Sequence, residues 1–160
     1  PAPGFLGSVT KKPFGIFITP ETSPVQPERF RGYHTGADGE LPTGTPVVAV
    51  ADGRVVRSGR VAGYGGLVVV EHRLDGARLV SVSGHLDPAR LSEVGTAVRA
   101  GERLGLLGRG FTPETDGERA HLHFGLYRGA GVDVAGYVSR EAELARWLDP
   151  VAFFDDARRP

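Results

Sequence analysis

His121-Leu122-His123-Phe124-Gly125-Leu126-Tyr127 is the stretch on which the fold and chemistry of this chain turn. Successive side chains of a β-strand point to opposite faces. The imidazoles of His121 and His123 therefore share one face, and Leu122 and Phe124 share the other. An apolar back with two nitrogen bases side by side on the front is more than a plain core strand requires. The rest of the chain offers partners for that front: His34 with Asp38 upstream, and His85 between. Four of the five histidines fall in these three short contexts.

The bulk composition frames this. A chain of 160 residues with 40% hydrophobic and 24% charged residues is long enough to bury one core. Twenty-four glycines and 12 prolines favour short strands and tight turns over long helices. Nineteen basic residues cancel 19 acidic ones, so no basic excess points to nucleic acid. Without cysteine there is no disulfide, thiol nucleophile or thiolate metal site. No apolar run approaches the roughly 20 residues that span a bilayer. The chain starts Pro1-Ala2-Pro3 without methionine and is read as a mature or trimmed form, any targeting segment lying outside it.

Residues 1–13 read as an extended leader and 14–160 as one domain. Phe14 to Thr19 is a candidate strand, and Pro20, Pro24 and Pro27 make the next stretch a loop. Strands are expected at Val47–Val50, Arg54–Val56, Leu67–His72, Leu79–Val82 and on either side of Gly101. Asp52-Gly53, Gly63-Tyr64-Gly65-Gly66 and Asp75-Gly76 are turn signals, the first expected to close a hairpin. Asp87-Pro88 is placed to cap one helical turn. Gly44-Thr45-Pro46-Val47-Val48-Ala49 recurs as Gly95-Thr96-Ala97-Val98-Arg99-Ala100 with four of six residues identical, consistent with a two-part β fold. Near the end, Ser139 is expected to cap a helix carrying Leu144, Trp147 and Leu148 on one face, with Pro150 stopping it. His72, beside Glu71 and Arg73, reads as an ordinary surface histidine.

Hydrolytic zinc sites commonly take two histidines and a carboxylate and keep a fourth position for water. His34, Asp38 and one of His121 or His123 would supply that set. A single carboxylate leaves the ion net positive, which suits the acidification of water and the polarisation of a carbonyl. Neutral imidazoles select against Mg²⁺ and Ca²⁺, which prefer oxygen shells.

In this order, His34-Thr35-Gly36-Ala37-Asp38, Gly84-His85-Leu86 and His121-Leu122-His123 resemble the lysostaphin/LytM-type zinc metallopeptidases, which cleave peptide bonds of bacterial peptidoglycan. Gly44-Thr45-Pro46-Val47 and Tyr64-Gly65-Gly66 add to the resemblance, which runs from about residue 31 to 127. It implies a mainly β fold, a small antiparallel sheet or sandwich of the duplicated-hybrid-motif kind, with one short C-terminal helix. It implies one Zn²⁺ held by His34, Asp38 and His123, with His85 and His121 as the catalytic pair that activates water and stabilises the oxyanion. The substrate implied is a peptidoglycan stem peptide or cross-bridge, and the location extracytoplasmic. A monomer is expected. Members of that family often carry tyrosine where Ser83 stands here, which leaves Tyr33 or Tyr64 to supply a phenol. Glu21, Glu28 and Glu40 are the acidic residues that could reach the fourth zinc position.

Two other functions fit part of this pattern. A catalytically weak relative could bind cell wall or activate another hydrolase, but such relatives lose ligands and all five positions are filled here. A phosphocarrier or lipoyl-like β module could use two histidines but has no need of Asp38.

Overall fold

A computed structural model describes residues 1–157; the last three residues of the expected domain lie outside the described part. Twelve strands run in chain order: β1 (Phe17–Ile18), β2 (Gly32–His34), β3 (Gly36–Gly39), β4 (Pro46–Val48), β5 (Gly53–Val61) and β6 (Gly65–Leu74). They continue with β7 (Ala77–Leu86), β8 (Ala97–Val98), β9 (Arg103–Leu106), β10 (Leu122–Tyr127), β11 (Tyr137–Val138) and β12 (Trp147–Leu148). Among the described residues, helices are confined to a single turn α1 (Phe5–Ser8), a 3₁₀ segment (Glu141–Arg146) and α2 (Pro150–Ala157).

The main sheet is antiparallel, in the order β12-β10-β7-β6-β5-β8, with β3 also pairing β10. Its centre is the β6–β7 hairpin. Asp75 (φ 49°) and Gly76 (φ 79°) turn it, both in the left-handed region that such a tight turn demands. Alternation along these strands feeds two cores. Val68, Val70, Leu79, Leu122, Phe124 and Leu126 face one way; Leu67, Val69, Val80, Val82 and Tyr127 face the other.

The sequence echo has a structural counterpart. The Gly44 amide donates to the Leu107 carbonyl, and Leu107 returns its own amide to Thr45. The Gly95 amide donates to Val55, and Val55 returns its amide to Thr96. Each Gly-Thr turn thus clasps a strand from the other half of the chain in the same way.

Five local expectations are corrected. Residues 1–13 do not extend ahead of the fold but pack on it: Phe5 is buried against Phe124, and Val9 bridges to Gly39. Asp52-Gly53 closes no hairpin. It joins strands of different sheets, since β4 pairs β9 whereas β5 pairs β6 and β8. Gly53 does not have the positive φ of a tight hairpin turn; its lack of a side chain serves a close approach to the Glu71 carbonyl, 2.4 Å from where a Cβ would sit. Asp87-Pro88 makes a turn, with the Ala89 amide on Asp87 Oδ1, and no helix follows. Pro150 starts the C-terminal helix. Asp149 Oδ1 accepts from the Val151 amide, and proline suits the first helical position, where its missing N–H costs nothing. Trp147 and Leu148 are instead strand residues, paired with Tyr127 and Leu126. His72, finally, is 1% exposed, its ring between the Asp52 carbonyl and the Ser81 hydroxyl.

Candidate metal centre

Sheet register builds the site. On β10, His123 stands opposite Asp38 of β3 on one side and Gly84 of β7 on the other. Directly opposed residues bring their side chains within reach of one another. β2 ends at His34 and β3 begins at Gly36, with only Thr35 between, so the same bend delivers His34 beside Asp38. The bulge between Gly66 and Leu67 re-aims the end of β7, where His85 takes a positive φ of 63° and turns its ring into the same cleft. All five residues singled out from the sequence come together, each under 5% exposed.

The geometry at the centre is close to an equilateral triangle. His34 Nε2 lies 3.1 Å from His123 Nδ1 and 3.2 Å from Asp38 Oδ1, and His123 Nδ1 lies 3.2 Å from Asp38 Oδ1. His34 Nδ1 faces the Pro13 carbonyl, which makes it the protonated nitrogen and turns an Nε2 lone pair into the triangle. One proton on His123 Nδ1 can serve only one of the two acceptors facing it, and His123 Nε2 is buried with no partner among the described residues. A cation satisfies all three atoms at once. Tetrahedral zinc with bonds of about 2.0–2.1 Å places its ligand atoms roughly 3.3 Å apart, so these residues fit zinc.

His121 and His85 sit beside the triangle, their rings 4.1 Å apart. His121 Nδ1 donates to the Arg119 carbonyl, leaving Nε2, 3.3 Å from Asp38 Oδ2, as a free base. His85 Nδ1 donates to the Thr115 carbonyl, leaving its Nε2 likewise free. Burial pushes both imidazoles down, His121 to about 4 and His85 well below its ordinary value, so both are neutral near neutral pH. Burial works to raise the Asp38 carboxyl, but the imidazoles of His121, His34 and His123 outweigh it and hold the group well below the usual carboxylate range.

The cleft over the triangle measures about 400 Å³. Tyr64 forms one wall, its hydroxyl donating to the Val134 carbonyl and its ring 5.3 Å from His123 and 5.6 Å from His85. Tyr137 forms another, stacked on His34. Ser83 stands opposite Val68 and Phe124 on the core face, turned away from the cleft, and Tyr33 packs on Phe17 outside it. Of the two tyrosines considered, Tyr64 is the one that reaches the site. Glu28 is spent on Lys12, Ser23 and two backbone amides, and Glu40 on Arg119 and Lys11. Sequence reasoning missed Arg119, Lys12 and the carbonyls of Pro13 and Thr115. Arg119 lies in the loop before β10, outside the strand alternation, and backbone carbonyls carry no side-chain signature.

The pattern of Peptidase family M23 matches residues 32–135. The chain belongs to that family. The solved structure of LytU superposes with a TM-score of 0.65 at 28% identity, covering 94% of this chain and 86% of LytU. The DD-carboxypeptidase/endopeptidase Mpg of Neisseria meningitidis is 38% identical over 91 residues, 57% of this chain and 19% of Mpg. The murein hydrolase activator EnvC of Escherichia coli K12 is 42% identical over 80 residues, 50% of this chain and 17% of EnvC. The chain spans less than half the length of the curated relatives it matches. Among the described residues no helix is long and apolar enough to cross a membrane.

Proposed function

We propose that this M23 domain is a zinc endopeptidase that hydrolyses amide bonds of peptidoglycan stem peptides or cross-bridges, acting outside the cytoplasmic membrane where that polymer lies. The observation that carries the proposal is the triangle of His34 Nε2, Asp38 Oδ1 and His123 Nδ1 at the floor of a cleft, flanked by two further neutral imidazoles. In this reading those three atoms hold one zinc ion. When bound, zinc supplies Lewis acidity, lowering the pKa of water and polarising the substrate carbonyl.

The chain's own residues would do the rest. His85, its Nδ1 held by Thr115, accepts the proton of the attacking water at Nε2 and returns it to the departing amide nitrogen. His121, its Nδ1 held by the Arg119 carbonyl, presents its Nε2 on the same side as a second neutral base that orients the attacking water. Tyr64 and Tyr137 close the walls, excluding water from all but the reacting position. Val61–Tyr64 and Val134–Tyr137 line the cleft in which the peptide would lie.

The test is digestion of purified peptidoglycan by the zinc-loaded protein, with mass spectrometry of the fragments, beside His123→Ala and a chelator. New amine termini that disappear in both controls support the peptidase and identify the bond. Full zinc occupancy without cleavage of walls of several chemotypes would replace it with the second reading, an activating or wall-binding domain. The similarity to EnvC favours that second reading, and the filled set of five site residues favours the first.

A further inference from the structure

Arg119 is 8% exposed, and its guanidinium lies between two carboxylates. Nε donates to Glu40 Oε1 at 2.7 Å, and Nη2 reaches both Glu40 Oε1 at 2.7 Å and Asp38 Oδ2 at 3.3 Å. The planar fork therefore grips the oxygen of Asp38 that does not face His34 and His123. Its remaining nitrogen, Nη1, is buried without a partner among the described residues. A buried donor left unpaired is unfavourable, so the contacts to Asp38 and Glu40 are what this burial gains. The backbone of the same residue accepts the Nδ1 proton of His121.

Resting on the zinc reading above, we infer that Arg119 is a positioning residue for the metal centre. By pinning Asp38 Oδ2 it directs Oδ1 at the ion as a one-oxygen ligand, while Glu40 balances its charge so that the cation does not repel the metal. Hydrogen-bonded carboxylate ligands lose affinity when their outer partner is removed. Lysine is a poor substitute here, because a single ammonium cannot reproduce a planar fork shared between two carboxylates. Through its carbonyl Arg119 also ties the loop before β10 to His121, so one residue sets the orientation of a ligand and of its neighbouring base.

The experiment measures zinc affinity by chelator competition for the wild type, Arg119→Gln, Arg119→Lys and Glu40→Gln. The visible spectrum of each cobalt-substituted protein and far-ultraviolet circular dichroism are recorded alongside. Arg119→Gln is expected to weaken zinc by about 10–100-fold and to shift the cobalt bands, with secondary structure unchanged. Arg119→Lys should recover part of the affinity, and Glu40→Gln should weaken zinc less than Arg119→Gln. If Arg119→Gln does not fold, the lysine and Glu40 variants carry the same comparison. Affinities within about twofold of wild type, with unaltered cobalt spectra, overturn the inference, given the size of effect that outer partners of metal ligands have. A wild-type protein that takes up neither metal overturns the zinc reading itself, which distinguishes the two failures.

Discussion

His34 Nδ1 meets the carbonyl oxygen of Pro13 at 3.1 Å. That contact fixes which nitrogen of His34 carries the proton, and hence which one is free to bind a metal. It comes from a segment outside the part that matches family M23. The same segment offers the Lys12 carbonyl to the Asp38 amide and is anchored by Phe5, packed edge-on against Phe124. The first thirteen residues thus work as a strap across β3, holding two of the three proposed ligands from behind.

Removing the anchor tests the strap. Phe5→Ala should cost about 3–5 kcal/mol in urea unfolding, as expected for a large aromatic deleted from a packed core. It should also weaken zinc, because Lys12 and Pro13 lose their hold on Asp38 and His34. A loss of stability with metal affinity unchanged would show that the strap supports the fold and not the centre.

The five site residues should separate into two classes by metal content. His123→Ala opens the triangle and is expected to abolish stoichiometric zinc binding. His85→Ala leaves the triangle intact and should keep the metal while lowering turnover about 10²–10⁴-fold, the usual contribution of a general acid–base group. Metal analysis with kinetics on the same preparations checks both. Loss of zinc in the His85 variant would make that residue a ligand.

Most of the site was legible because period-two alternation says which side chains share a face, and the sheet then brings such faces together. His121 and His123 announced themselves this way, and the His123–Asp38 pairing is the register that their strands adopt. The orienting groups were not legible. Pro13 and Thr115 act through backbone carbonyls, which carry no side-chain signature, and Arg119 acts through a loop whose path depends on the whole fold. The misread segments failed for a different reason. Leu144, Trp147 and Leu148 have helical spacing, yet pairing of Trp147 with Tyr127 at the edge of β10 outweighs local propensity. Phe5 sits among prolines and glycines and reads as a leader until its partner Phe124, far along the chain, is in place.

Gly36 allows the close packing of β3 on β10. A Cβ there would lie 2.6 Å from the Phe124 carbonyl oxygen and 2.9 Å from His123 Cε1. The carbonyl belongs to a strand fixed on both sides, so the clash is relieved only by spreading β3 from β10 or by turning the His123 ring. Gly36→Ala should therefore lower both thermal stability and zinc affinity. Gly76→Ala, where the added Cβ meets nothing within 4 Å, serves as the comparison: its positive φ strains the backbone and lowers stability alone. Equal metal affinity in the two variants would refute the role given to Gly36.

Acid should destabilise the metal-free protein well above the range in which carboxylates titrate. Burial lowers the imidazoles of His72, His85, His121 and His123 below their ordinary value near 6.5, His121 to about 4. Below about pH 6.5 the unfolded chain binds protons that the folded chain refuses, so stability falls as pH falls and keeps falling until the folded imidazoles titrate. Asp38, held low in the folded state, adds a loss only at more acidic pH. Melting temperatures in chelator should decline steadily from about pH 6.5 to 4.5. Saturating zinc should raise them near neutrality and lose that advantage toward acid, because protons and metal compete for the same lone pairs. A flat profile in chelator would mean that the buried histidines take up protons in place, and with them would go the claim that His85 and His121 stand neutral and ready to accept one.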